Sequence, residues 1–255
     1  MASQIPAAAA PNRRLRIALG TWVAIEAHGE AAADAGSAAY AAIGEVDALM
    51  HPTRPGSDLA RINSTAPGIP IEVHLDTWRL LQLTRQIYDL TDGVFDPCVP
   101  TRPGRLCDIE INPETPVLTC HAPVQLDLGG IAKGLAIDRA VGTLIQHGCT
   151  AGLVNAGGDL RVFGDRTETI LLRKRGAVDS YCPLELGNAA LAVSDLDATE
   201  RPPEHQGYYN GTTQRRYAAV IAKDAATADA LTKCVLLCPA ATTERVLRKL
   251  AAQSI

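Results

Sequence analysis

The chain has 255 residues, 47% of them hydrophobic, and a formal charge of −4. That length buries a sizeable core. The acidic balance, with no basic patch interleaved with aromatics, excludes a nucleic-acid binder held by phosphate contacts. No apolar run reaches the length of a membrane span. Seven cysteines, an odd number without Cys-x-x-Cys or zinc-ligand spacing, point to a reducing compartment.

Residues 1–12, with several alanines and two prolines, read as a disordered start, and residues 13–255 as one folded unit. The start has no continuous apolar h-region, so a cytoplasmic location is expected. Leu15 to Ala27 alternates in hydrophobicity and reads as a strand. Residues 30–50 place Tyr40, Ile43, Val46 and Met50 on one helical face. A second helix, capped by Asp76, runs through Leu80, Leu83, Ile87 and Leu90 to Gly93. Short strands are expected at 107–111, 116–120 and 124–128. A helix opened by Gly130 to Gly134 carries Leu135, Val141, Leu144 and Ile145 and stops at Gly148. Strands follow near 151–155, 159–163, 168–173, 189–193 and 217–222, and helices near 225–237 and 242–252. Residues 195–216, holding Pro202, Pro203, Gly207 and Gly211, read as a long loop. Helices scattered among consecutive strands indicate α+β rather than a doubly wound sheet. Cys234 and Cys238, four residues apart on the late helix, read as small core residues.

The most informative stretch is Asp127-Leu-Gly-Gly-Ile-Ala-Lys-Gly134, followed by Asn155-Ala-Gly-Gly-Asp159. Adjacent glycines let a backbone approach a ligand closely and take positive φ. Glycines opening a helix, together with the Lys133 ammonium, form a cradle for phosphate oxygens. The spacing is neither a Walker A loop nor a Gly-x-Gly-x-x-Gly turn. Asn155 and Asp159 are expected to hold the second turn through local backbone hydrogen bonds.

Together the two runs resemble the signature of the ApbE family, the FAD:protein FMN transferases. Leu19-Gly20-Thr21, Ser57-Asp-Leu-Ala-Arg-Ile-Asn63, Gly93-Val-Phe-Asp-Pro97 and Ala228-Asp-Ala-Leu231 are similar to further family stretches, in the family's order. The resemblance implies an α+β, T-fold-like architecture of two closely packed lobes with FAD between them. It implies transfer of FMN from FAD to a Ser or Thr of an acceptor protein, with release of AMP. Two alternatives remain: water as acceptor, giving an FAD pyrophosphatase, or a weakened flavin- or partner-binding protein.

Lys133 and Asp229 are the residues expected to carry the chemistry. Leu19, Thr53, Val94, Phe95, Asp96, Asp127 and Lys133 match nucleotide-contacting positions. Phosphoryl transfer needs charge compensation, commonly from Mg²⁺. The family's metal position corresponds to the backbone of Gly130, to Asp229 and to a threonine slot held here by Lys233. An ammonium has no lone pair to offer a metal. Thr232 stands beside it on the helix as a substitute ligand, or Lys233 supplies the positive charge itself. Asp229 reads either as a metal ligand or as a first-turn helix charge. Thr53 fills a slot that is usually aromatic or His. Residues 207–213, with Tyr208 and Tyr209, depart from the family's late His-x-x-Asp-Pro segment.

Overall fold

The structure is a computed structural model that describes residues 11–173, 180–196 and 215–255. It opens with a hairpin of β1 (Asn12–Ala18) and β2 (Thr21–His28), where the sequence suggests one strand. Ala18 faces Thr21 across a two-residue loop in which Leu19 (φ 53°) and Gly20 (φ 69°) both take positive φ. That is the type I′ geometry that matches strand twist. Only Gly20 signals it, because leucine seldom adopts this conformation.

β1 and β2 edge a seven-stranded sheet continued by β6 (Ala151–Ala156), β7 (Asp159–Gly164), β10 (Ala190–Asp195), β11 (Tyr217–Ala222) and β12 (Gln253–Ser254). Every pairing in it is antiparallel. One face carries α1 (Ala32–Met50), α4 (Ala132–Gln146) and α5 (Ala225–Leu237), whose apolar residues share one continuous core with the inward positions of β2 and β6. The other face is partly covered by the hairpin of β8 (Thr167–Arg173) and β9 (Tyr181–Gly187), over a second cluster of Leu160, Val162, Leu186, Leu191 and Ala219. Toward β1 that outer face is bare, leaving Leu15, Ile17 and Trp22 exposed.

Residues 58–120 supply α2 (Asp58–Ser64), β3 (Pro70–Glu72), α3 (Leu75–Leu90), β4 (Ile109–Ile111) and β5 (Val117–Cys120), with the strands in the order β3-β5-β4. His74, not Asp76, caps α3, its Nδ1 accepting from the Asp76 N–H at 3.1 Å. Asp76 is drawn instead to Arg139 of α4 at 3.1 Å. The expected strand at 124–128 is a single bridge, Cys98 to Leu126, and Ile145 of the α4 stripe is exposed. α6 (Ala240–Lys249) follows Pro239. Among the described residues no helix is long and apolar enough to cross a membrane.

The element that decides the chemistry is α5. Its residues from Ala225 to Leu236 are buried on every face, so it lies within the fold and not across its surface, and Asp229, Thr232 and Lys233 are buried with it.

Candidate active site

The site is built where the first turn of α4 crosses the first turn of α5. A Cβ on Gly134 would lie 2.2 Å from the Ala225 carbonyl oxygen, so only glycine allows the approach. One turn further along α4, Asp138 accepts from the N–H groups of Ala225 and Ala226, each at 2.9 Å. Asp224 caps the same helix by accepting from the Thr227 N–H at 2.8 Å. These contacts satisfy donors that a helix start leaves unpaired. Burial pushes the Asp138 carboxyl up, against the pull of those amides and of Arg161, which reaches it from β7 at 2.6 Å.

With its first turn pinned, α5 presents Asp229 to the start of α4. Asp229 is fully buried, and its Oδ2 accepts from the Gly134 N–H at 3.3 Å. Its Oδ1 receives the Lys233 ammonium, one helical turn away, which also donates to the Asp229 carbonyl at 3.0 Å. The reading of Asp229 as a surface charge in the first helical turn is therefore excluded. Burial opposes its ionisation, but the adjacent Lys233 ammonium, and then Lys133, hold the carboxyl below the usual range.

Beside this pair lies a second one. Lys133, on the first turn of α4, meets Asp159 Oδ2 at 2.7 Å, and Asp159 Oδ1 accepts from the Val193 N–H at 2.9 Å. Asp159 is buried and fastens α4 to β7 and β10 through contacts distant in sequence, not through the local turn expected for it. Asn155 does hold that turn, its Oδ1 accepting from the Gly158 N–H at 3.0 Å. Burial, then the charge of Asp229, push the Asp159 carboxyl up, opposed by the two lysines. The four side chains form a charge-balanced quartet whose one partly open member is Lys133, about a third exposed. Lys133, Gly157, Gly158, Leu160, Ile170 and Val193 help to line a cavity of about 420 Å³ between the second glycine turn and β8.

Several other expected residues lie on a ledge formed by residues 93–98 and by the 124–129 segment that leads into α4, joined by the Cys98–Leu126 bridge. The Asp127 N–H donates to the Pro97 carbonyl, and Asp127 Oδ1 accepts from the Gly129 N–H. Asn63, whose motif is legible but whose task is not, clamps Leu126 of this ledge by donating to its carbonyl and accepting from its N–H. Asp96 accepts from the N–H groups of Cys98 and Leu106 and pairs with Arg105. Phe95 is fully buried beneath the ledge, whereas Val94 is exposed on it. Gly130 is buried at the turn into α4. Leu19 packs against the main core from the β1–β2 turn. Thr53 lies on the exposed connection between α1 and α2, where its N–H bonds locally to His51 Nδ1. Thr232 is buried behind Asp229, its hydroxyl donating to the Asp229 carbonyl at 2.7 Å and meeting Ser194 Oγ at 2.8 Å. Tyr208, Tyr209 and the rest of 207–213 lie outside the described residues. Asp138 is the site residue that sequence reasoning missed. Its only signal is a carboxylate one turn beyond the glycines on the same helix.

These groups do not fit a divalent metal. Both carboxylate oxygens of Asp229 are engaged, one by the Gly134 N–H and the other by the Lys233 ammonium. Two unit charges 4 Å apart repel by about 4 kcal/mol at an effective dielectric near 20, so a divalent ion beside Lys233 would meet about twice that. Among the described residues no group of three His, Cys, Asp or Glu side chains is arranged to hold a metal.

The antiparallel α+β fold, with its two glycine turns beside crossed helix starts, defines the class of protein. The fold matches the apo flavinyl transferase ApbE of Pseudomonas stutzeri with a TM-score of 0.80, 19% identity and coverage of 96% of this chain and 89% of that one. It matches the ApbE protein of Thermotoga maritima with a TM-score of 0.73, 24% identity and coverage of 94% and 89%. The sequence matches the ApbE family over residues 19–102 and 105–195, and the chain belongs to that family. It is similar to an FAD:protein FMN transferase of Rhodobacter capsulatus, 32% identical over 178 residues, 57% of this chain and 34% of that protein. A second similar protein, the FAD:protein FMN transferase of Treponema pallidum (strain Nichols), is 25% identical over 146 residues, 46% of this chain and 40% of that protein. The chain thus aligns with well under half the length of these two relatives.

Proposed function

We propose that the chain is an FAD:protein FMN transferase. The observation that carries the reading is Lys133: an ammonium fixed on Asp159, partly open to solvent, at the glycine-led start of α4 and lining the cavity. A point charge at a helix N-terminus suits a diphosphate. In this reading the diphosphate of FAD lies at Lys133, and the flavin end lies over the ledge of Val94, Asp96 and Asp127 and toward Thr53. Phe95 supports that ledge from below, and the Leu19 turn abuts the second glycine turn, where the Gly157 N–H donates to the Trp22 carbonyl.

The hydroxyl oxygen of an acceptor Ser or Thr attacks the FMN phosphorus, and the bond to the bridging oxygen breaks. AMP leaves with that oxygen, and the hydroxyl proton is released. Lys133 and the α4 start hold the phosphates in line and stabilise the charge on the departing phosphate. Asp159 keeps the ammonium in place, and Asp229 with Lys233 fixes the wall behind it. Seven free thiols suit a reducing compartment, and we place the protein in the cytoplasm on that ground.

The test is incubation with FAD in the presence and absence of a panel of Ser- and Thr-containing peptides. AMP and peptide-bound flavin, formed only when peptide is present, support the proposal. AMP without peptide would make the protein a pyrophosphatase, and bound but intact FAD throughout would make it a binding protein.

A further inference from the structure

We propose that Lys233 is the resident cation of this site, so that nucleotide binding by this chain is independent of divalent metal. The inference rests on the FMN-transfer reading and deepens it. Lys233 is nearly buried and spends two of its donors on one residue, the carboxylate Oδ1 and the carbonyl oxygen of Asp229. Both contacts lie within a single turn of α5, and that helix is enclosed on every side, which leaves the ammonium little room to move aside. Asp229 Oδ2 is taken by the Gly134 N–H, and the Thr232 hydroxyl is shared between Ser194 and the Asp229 carbonyl. Both carboxylate oxygens of Asp229, its carbonyl oxygen and the Thr232 hydroxyl thus already have partners. The charge count agrees. Asp159 and Asp229 are matched by Lys133 and Lys233, so the site is neutral without a metal ion. A covalently tethered cation costs no binding equilibrium and keeps Asp229 compensated at any metal concentration.

Two readouts test this on the full chain after treatment with EDTA. The first is Mn²⁺ binding without nucleotide, followed by electron paramagnetic resonance. Wild type should show no saturable site, and Lys233→Thr, which removes the ammonium and restores a hydroxyl, should create one that Mg²⁺ displaces. The second is FAD affinity from flavin fluorescence. Wild-type affinity should agree within about twofold between EDTA and Mg²⁺, whereas Lys233→Thr should bind at least about tenfold more weakly in EDTA.

If Lys233→Thr fails to fold, the wild-type arms still decide. A saturable Mn²⁺ site in wild type, or FAD binding that collapses in EDTA, overturns the proposal. Failure to bind FAD under either condition would sink the flavin-transfer reading, and the nucleotide-free Mn²⁺ arm would still judge Lys233.

Discussion

Two lysine–aspartate pairs lie side by side in this molecule, and they are built in opposite ways. Lys233 and Asp229 are four residues apart on one helix and sealed from solvent, with side-chain exposures of 8% and 1%. Lys133 and Asp159 come from different elements, and Lys133 keeps 31% of its side chain exposed. A sealed pair sets the charge of its surroundings but cannot reach a ligand. A pair with one open member can bind a ligand while its buried partner keeps the open group in place. The same two residue types therefore divide the work between holding charge and meeting the nucleotide.

The largest expected effect breaks the sealed pair. Asp229→Asn keeps the shape but leaves the Lys233 ammonium buried without a countercharge, which costs roughly 3–5 kcal/mol. Urea unfolding should show this as a large fall in midpoint. Replacing both members with apolar residues of similar size, Asp229→Leu with Lys233→Met, should recover most of that stability, because no charge then remains to be desolvated. If the double variant is no more stable than the single one, an uncompensated buried ammonium is not what destabilises Asp229→Asn.

The open pair predicts the reverse emphasis. Lys133→Ala should weaken FAD binding by roughly 1.5–3 kcal/mol, about 10–150-fold. Its stability cost should be smaller than that of Asp229→Asn, since Asp159 retains the Val193 N–H. Arg13→Ala is a suitable comparison, because Arg13 pairs with Glu26 on the surface at 2.7 Å and exposed pairs contribute at most about 1 kcal/mol. Fluorescence titration that ranks the two variants equally would remove Lys133 from the phosphate site.

The sealed pair shows how a legible spacing can go unused. Its partners are helix neighbours that the i,i+4 rule would pair, yet the family resemblance directs both toward a metal position and the pairing itself is not read from the sequence. The mismatch of an ammonium with a metal position is visible only because the family resemblance assigns Lys233 to a threonine slot. Asp159 was legible only as a glycine-turn residue, because its partners, Lys133 and Val193, are brought to it by the sheet and by α4. Asn63 shows the same limit. Its motif was recognised, but its clamp on Leu126 spans sixty-three positions. In the seven-stranded sheet, β6, β7, β10 and β11 fall within a residue or two of the expected strands, whereas β12, two residues long, has no periodicity to register. Outside that sheet the same holds for β3, three residues long, and for β9, a largely exposed strand interrupted by Pro183. The hairpin at Leu19 was missed because a leucine with positive φ gives no compositional signal.

The smallest expected effect is also the one that separates the pairs most directly, since their carboxylates titrate in opposite directions. Asp159 is pushed above the ordinary aspartate value of 3.8, first by burial and then by the charge of Asp229. As pH falls from neutral toward 3.8, the folded protein takes up a proton at Asp159 while the unfolded chain stays ionised there. More protons bound in the native state mean that this residue's contribution to stability rises as pH falls through the window. Asp229 is held below 3.8 against the cost of its burial, by Lys233 and then Lys133. Its contribution is present above 3.8 and is lost as pH falls through its lowered folded value. Asp159→Asn should therefore flatten only the upper limb of the stability profile, between neutrality and about pH 4, and leave the acid limb in place. Urea midpoints measured in parallel across that range decide the matter. If the variant and wild type keep a constant offset throughout, Asp159 titrates normally, and the asymmetry between the open and the sealed pair does not extend to their protons.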